Sequence, residues 1–191
     1  MKILSKHYCM GLLLGSSLTL LSGPAASMAI SDGSMGAASC GAEVTETLET
    51  VGSTRLSVMF WDVYDATLFS DSGAYESAEQ LALRLEYLRD IDAADLVETT
   101  GEEWEKLDYQ MDEQAQQWLQ QLNEMWPDVQ EGDCITLVVN AAGESTFYGI
   151  NGRLGEITDA AFSERFLAIW LSAKSRFEDE RNELIGSGGN E

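Results

Sequence analysis

Arg55, Asp62, Tyr64, Asp65, Tyr87 and Arg89 are the residues of this chain that could do chemistry, and Asp62, Tyr64, Asp65 and Arg89 stand where the surrounding pattern asks for apolar side chains. Asp62, Tyr64 and Asp65 fall within FWDVYDATLFS, residues 60–70, a strand-like run with one carboxylate on each alternate face. A buried charge is costly unless it is paired and hydrogen-bonded. Arg55 or Arg89 forking onto Asp62 or Asp65 meets that requirement as a structural ion pair. An arginine that keeps a free edge has a second use beside Tyr64 or Tyr87, since its planar fork matches the carboxylate or enolate of an apolar ligand. Two carboxylates can also work as an acid–base pair. Residues three apart on a regular strand point to opposite faces, however, so Asp62 and Asp65 are not expected to share a substrate.

Other chemistries are excluded by what is missing. The single histidine, His7, lies in an N-terminal stretch that reads as a signal peptide, residues 1–29. Lys2 and Lys6 form its basic start, an apolar run follows, and small residues end it near Ala29. Without histidine, a Ser-His-Asp or Cys-His site and the usual zinc sets are absent from the remaining chain. No cofactor or metal site is expected; RDIDAAD, with Asp90, Asp92 and Asp95, lacks the glycine and terminal glutamate of a calcium loop. The expected product is a periplasmic or secreted protein with no further membrane-spanning segment.

Cleavage would remove two lysines and no acid, leaving the formal charge of −22 more negative still. Such a surface repels nucleic-acid phosphates and anionic lipid headgroups, which argues against both as partners; no protein partner can be named from the sequence. Cys40 and Cys134 survive cleavage and form a candidate disulfide, worth roughly 4 kcal/mol for so long a loop. Against it, Cys40 sits in a small, glycine-rich stretch read as a flexible linker, residues 30–41.

The elements that would position these groups follow from periodicity. Residues 42–50 alternate weakly and suit an edge strand, and TRLSVMFWDVYDATLFS reads as one long, bent or bulged strand. In LALRLEYLRDI, Leu81, Leu83, Leu85, Tyr87, Arg89 and Ile91 share a face, which puts Arg89 on the apolar side. DAADLVETTGEEWEKL predicts a helix interrupted near Gly101, and DEQAQQWLQQLNEMW one stopped by Pro127. Trp118, Trp126 and Trp170 read as core, with Trp104 the tryptophan best placed near a pocket. Two further strands, a hairpin at Asn151-Gly152 and two helices complete a single domain over residues 42–186, with a loose tail at 187–191. The class is α+β: a mostly antiparallel sheet with helices packed on one face.

Five blocks in order, FWDVYDATLF, ALRLEYLRDI, WPDVQEGD, FYGINGRLGEI and FLAIWLS, resemble the bacterial exported chalcone isomerase-like family from about residue 45 to Gly186. The resemblance implies the chalcone isomerase fold, with a cleft between sheet and helices, shared by flavanone-forming isomerases and fatty-acid-binding proteins. It carries the isomerase's catalytic residues over poorly. Tyr64 holds the position of the enzyme's threonine, Gly52 stands where its arginine belongs with Arg55 three places on, and Tyr109 is followed seven residues later by Gln116 rather than asparagine.

The expected function is therefore non-catalytic binding of a small apolar, fatty-acid-like ligand by Arg55, Tyr64, Tyr87, Arg89 and Trp104. One alternative is an intramolecular lyase or isomerase acting on an enone, with Tyr64 as general acid. Another is an envelope interaction module with no small ligand.

Overall fold

A computed structural model describes residues 40–187; the expected signal peptide, most of the linker and most of the tail lie outside them. Six strands form one sheet in strictly sequential order: β1 (Glu49–Val58), β2 (Trp61–Ser70), β3 (Leu81–Tyr87), β4 (Cys134–Val139), β5 (Ser145–Gly149) and β6 (Gly152–Ile157). Every neighbouring pair is antiparallel. Helices α2 (Ala93–Lys106) and α3 (Glu113–Met125) are inserted between β3 and β4, and α4 (Ala160–Leu171) and α5 (Glu178–Leu184) follow β6. Among the described residues, no helix is long and apolar enough to cross a membrane.

Three sequence expectations are corrected. Residues 42–50 do not form an edge strand: Ala42–Thr45 is a single helical turn, α1, and pairing begins at Glu49. The long strand is a hairpin whose two-residue turn is Met59-Phe60, with Met59 at φ 59°. That turn was invisible to pattern reading because positive φ in tight hairpins is normally signalled by glycine or asparagine. Gly101 does not interrupt α2; the helix runs through it, because a missing side chain there admits Leu119 of α3 at close range.

Helix starts follow from their acids. Asp112 accepts from the Ala115 amide at 2.9 Å and Asp159 from the Ala161 amide at 3.0 Å, each satisfying an otherwise orphan donor. Asp128 does the same for α2 from outside it, accepting from the Ala93 amide at 2.9 Å. The RDIDAAD acids are thus structural in part: Asp92 is the α2 N-cap residue and Asp90 accepts from the Glu131 amide.

The two faces of the sheet are covered differently. Leu56, Tyr64, Leu68, Leu83, Leu85, Ile135, Leu137 and Phe147 meet apolar residues of α2, α3, α4 and α5 in one core. At Gly52 the backbone of α5 lies so close to β1 that a Cβ would collide with the Glu183 and Leu184 carbonyls. On the other face lies the short N-terminal turn. Cys40 is bonded to Cys134, with the Cα atoms 5.9 Å apart. Arg84 donates to Thr45 Oγ1 at 2.8 Å and to the Cys40 carbonyl at 3.3 Å, and Thr136 Oγ1 donates to that carbonyl at 2.6 Å.

Candidate functional site

Between the sheet and α2 and α4 the core is hollow, enclosing a cavity of about 220 Å³. Its floor is Leu56, Tyr64, Leu83, Leu85, Tyr87, Ile135, Leu137 and Phe147 from the sheet. Its roof is Thr100 and Glu103 of α2 with Phe166, Ile169 and Trp170 of α4, and Trp126 closes one side; all of these are buried. The remaining lining residues are partly or well exposed: Val58, Val63, Ile91, Leu96, Thr99, Arg176 and Phe177. These form the rim of a mouth that opens between the β1–β2 hairpin, the start of α2 and the segment before α5.

The polar groups in this apolar chamber are few. Tyr64 and Tyr87 are directly opposed on β2 and β3, their rings edge-on with centroids 6.1 Å apart. The Tyr64 hydroxyl accepts from the Trp170 indole N–H at 2.9 Å, which leaves its own proton free to donate. No hydrogen bond holds the Tyr87 hydroxyl among the described residues. Burial pushes both phenols far above their ordinary range; the Trp170 bond partly offsets this at Tyr64, and Tyr64 itself adds to it at Tyr87. Both therefore stay protonated as donors. The Trp126 indole N–H is buried with no partner among the described residues, a third donor in the lining.

Glu103 is the one acid of the lining, and it is committed. Arg176 Nε contacts both of its oxygens at 3.1 Å, Arg176 Nη2 donates at 2.8 Å, and Lys106 Nζ donates at 3.0 Å. The Glu103 carboxylate, by these hydrogen bonds, raises the Lys106 amine above its ordinary value. A buried carboxylate held by two cations has its lone pairs occupied by those donors. The chamber consequently offers hydrogen-bond donors and no free base, a set suited to holding an oxygen acceptor in an apolar sheath.

Of the residues singled out from sequence, Tyr64 and Tyr87 line this chamber; Arg55, Arg89 and Trp104 do not. Arg55 is on the opposite, solvent-facing side of the sheet, where it forks onto Asp65 at 2.6 and 2.8 Å and reaches Asp62 at 3.3 Å. That guanidinium holds the Asp65 carboxyl below the usual range. The expectation that Asp62 and Asp65 face apart is overturned by a β-bulge. Register shifts between Leu56 and Ser57, Val63 is the extra residue, and both acids project from one face. Ser57 Oγ donates to Asp62 at 2.6 Å, so the pair is tied up on the wall away from the chamber.

Arg89 is not on an apolar face, because β3 ends at Tyr87 and alternation stops with it; the side chain is exposed, its guanidinium 5.8 Å from the centroid of the Trp61 ring. Trp104 is wholly buried in a solid part of the core beside Trp118 and Phe162. The residues missed were Glu103, Arg176, Trp126 and Trp170. Glu103 had a signal, being a carboxylate three places beyond Thr100 on the inward stripe of α2. Arg176 had none, since it lies in an irregular connection.

The fold and chamber define a class that comparison identifies. The family model for chalcone isomerase-like proteins matches residues 43–186, and the chain belongs to that family. A protein from Haemophilus influenzae described as uncharacterised is 27% identical over 140 residues, spanning 72% of this chain and 68% of its own. The crystal structure of the Arabidopsis thaliana fatty-acid binding protein AtFAP1 shares the fold with a TM-score of 0.58 at 11% identity, over 75% of this chain and 89% of that one.

Proposed function

We propose that this chain is a non-catalytic binding protein for a small apolar molecule with an oxygen head group, of which a fatty acid is the simplest example. The observation that carries this reading is the buried chamber itself, apolar on nearly all sides with two phenol donors facing each other across its floor. The fatty-acid binding described for AtFAP1 supports it by analogy of fold. Against an isomerase stand the positions of the residues carried over from that enzyme: Arg55 is on the far side of the sheet, and Tyr64 has no free base beside it.

In this reading the head group accepts from Tyr64 and Tyr87, the alkyl part lies among Leu83, Leu85, Ile135, Leu137 and Phe166, and Arg176 guards the mouth. At about 220 Å³ the chamber is smaller than the roughly 300–1,000 Å³ usual for small-molecule sites, which favours a compact ligand over a long acyl chain. The N-terminal residues that read as a signal support a working place in the cell envelope or outside it.

The test is native mass spectrometry of protein purified gently from its host, followed by solvent extraction. A stoichiometric apolar acid or ketone, lost in Tyr87→Phe, is expected. An empty protein that stays empty after exposure to an envelope lipid extract, or one that turns over a simple chalcone, would overturn the proposal.

A further inference from the structure

The tip of the β1–β2 hairpin is anomalous for a water-soluble surface. Val58, Met59, Phe60 and Trp61 are consecutive and exposed, Met59 at 86%, Phe60 at 94% and Trp61 at 66%. In a chain of net charge −22, residues 57–61 carry no charge at all. Met59 also sits at φ 59°, where glycine is the inexpensive choice, and its exposed side chain returns no contact for that strain. The nearest charges are balanced: Asp62 and Asp65 are paired with Arg55, and the Arg89 guanidinium lies near the Trp61 ring.

The tip is continuous with the chamber. Val58 belongs both to the exposed patch and to the rim of the mouth, and Val63 just beyond the turn lines the rim as well. Whatever the tip enters is therefore brought to the opening through which an apolar ligand must pass. Its size argues against a protein surface. Four side chains, two of them aromatic, present far less than the roughly 800 Å² per partner that a stable protein–protein interface buries. An apolar aromatic tip with an arginine behind it instead matches the boundary between acyl chains and head groups, where tryptophan and phenylalanine are favoured.

We infer that the Val58–Trp61 tip docks this protein on a zwitterionic phospholipid bilayer, whose surface has no net charge to repel the acidic chain, and so sets the mouth of its chamber against the membrane, for direct exchange of the apolar ligand. The docking stands on the tip; the exchange rests on the ligand-binding reading above. Loading then proceeds by collision with the bilayer, without passage of the ligand through water.

Trp61 reports on this directly, because the other four tryptophans are buried. The full chain is mixed with phosphatidylcholine vesicles carrying brominated acyl chains, and Trp61 is identified by difference from Trp61→Phe. The expected result is a blue shift and quenching of Trp61. In Phe60→Ser, partition of the tip should weaken at least about tenfold, the loss of one buried aromatic ring. In parallel, a radiolabelled medium-chain fatty acid, compact enough for the chamber, is bound in solution without vesicles, and its transfer from vesicles is timed. A transfer rate that rises with vesicle concentration, and falls in Phe60→Ser with solution affinity unchanged, supports exchange. Unchanged Trp61 emission in the presence of vesicles, with solution binding intact, overturns the inference and spares the ligand reading. Quenching without any fatty-acid binding does the reverse, leaving docking and removing the ligand. Burial of Trp61 without vesicles, with a doubled mass on sedimentation, assigns the tip to a second copy of the chain and overturns membrane docking.

Discussion

The core of this protein is solid at one end and hollow at the other, and α2 spans both. Toward its C-terminus Trp104 is packed edge-on against Trp118 and Phe162, at 6.1 and 6.3 Å between centroids, beneath the Arg165 guanidinium. Toward its N-terminus Leu96 and Thr100 look into the chamber over Tyr64 and Tyr87. Aromatic packing at the first end secures the helix, so the second need not be filled. The lesson is that the void is supported by neighbouring structure rather than by its own walls.

The comparison breaks most severely at Trp104. Trp104→Ala should cost about 3–5 kcal/mol, because nothing nearby can collapse into the space, and urea unfolding should show it. The enlarging change Leu85→Phe at the hollow end should cost less than about 1.5 kcal/mol, since the chamber accepts the ring, while abolishing ligand binding in the same preparation.

The two tyrosines sharpen the contrast. Tyr64→Phe leaves the buried Trp170 N–H without its acceptor and should cost about 1–3 kcal/mol. Tyr87→Phe removes a hydroxyl that holds no partner among the described residues, so its melting temperature should stay near that of the parent while affinity for ligand falls. Equal losses of stability in the two variants would show that both hydroxyls are structural.

A further effect is an alkaline one. Both phenols are raised above their unfolded value of about 10, so their stabilisation is complete below that pH and is lost above it, as the unfolded chain gives up protons that the folded one retains. Each should contribute a slope that approaches about −1.4 kcal/mol per pH unit well above pH ~10, and Tyr87→Phe should roughly halve their joint contribution. Denaturant midpoints measured from pH 9 to 11 would reveal a slope unaffected by either substitution if the burial argument is wrong.

Legibility in the sequence followed regularity. The alternation of Leu81, Leu83, Leu85 and Tyr87 placed the inward face of β3, and the stripe through Ala115, Trp118 and Leu122 placed α3, because burial of one face leaves a period in the residues. The α+β class followed from the order of those segments. What failed was local irregularity. The Met59-Phe60 turn lacks the usual turn residues, and the bulge at Val63 reverses strand parity without any compositional mark, so the two aspartates were assigned to the wrong faces. Arg89 was misplaced by extending a strand two residues past its end, and Arg176 became a rim residue only through a tertiary approach to Glu103.

The sequential strand order has a consequence for how the chamber comes into being. Every strand pairing joins neighbours across a short connection except β3 to β4, which must close over the inserted α2 and α3. The cross-strand pairs of that seam, Leu83 with Leu137 and Leu85 with Ile135, are four residues of the chamber floor. Seams that enclose a long stretch of chain carry the larger loop-closure entropy and form late. A nascent chain therefore has no chamber until its two halves meet. A ligand held there, as proposed above, would favour only the finished state by mass action, locking the slowest-forming joint in the sheet.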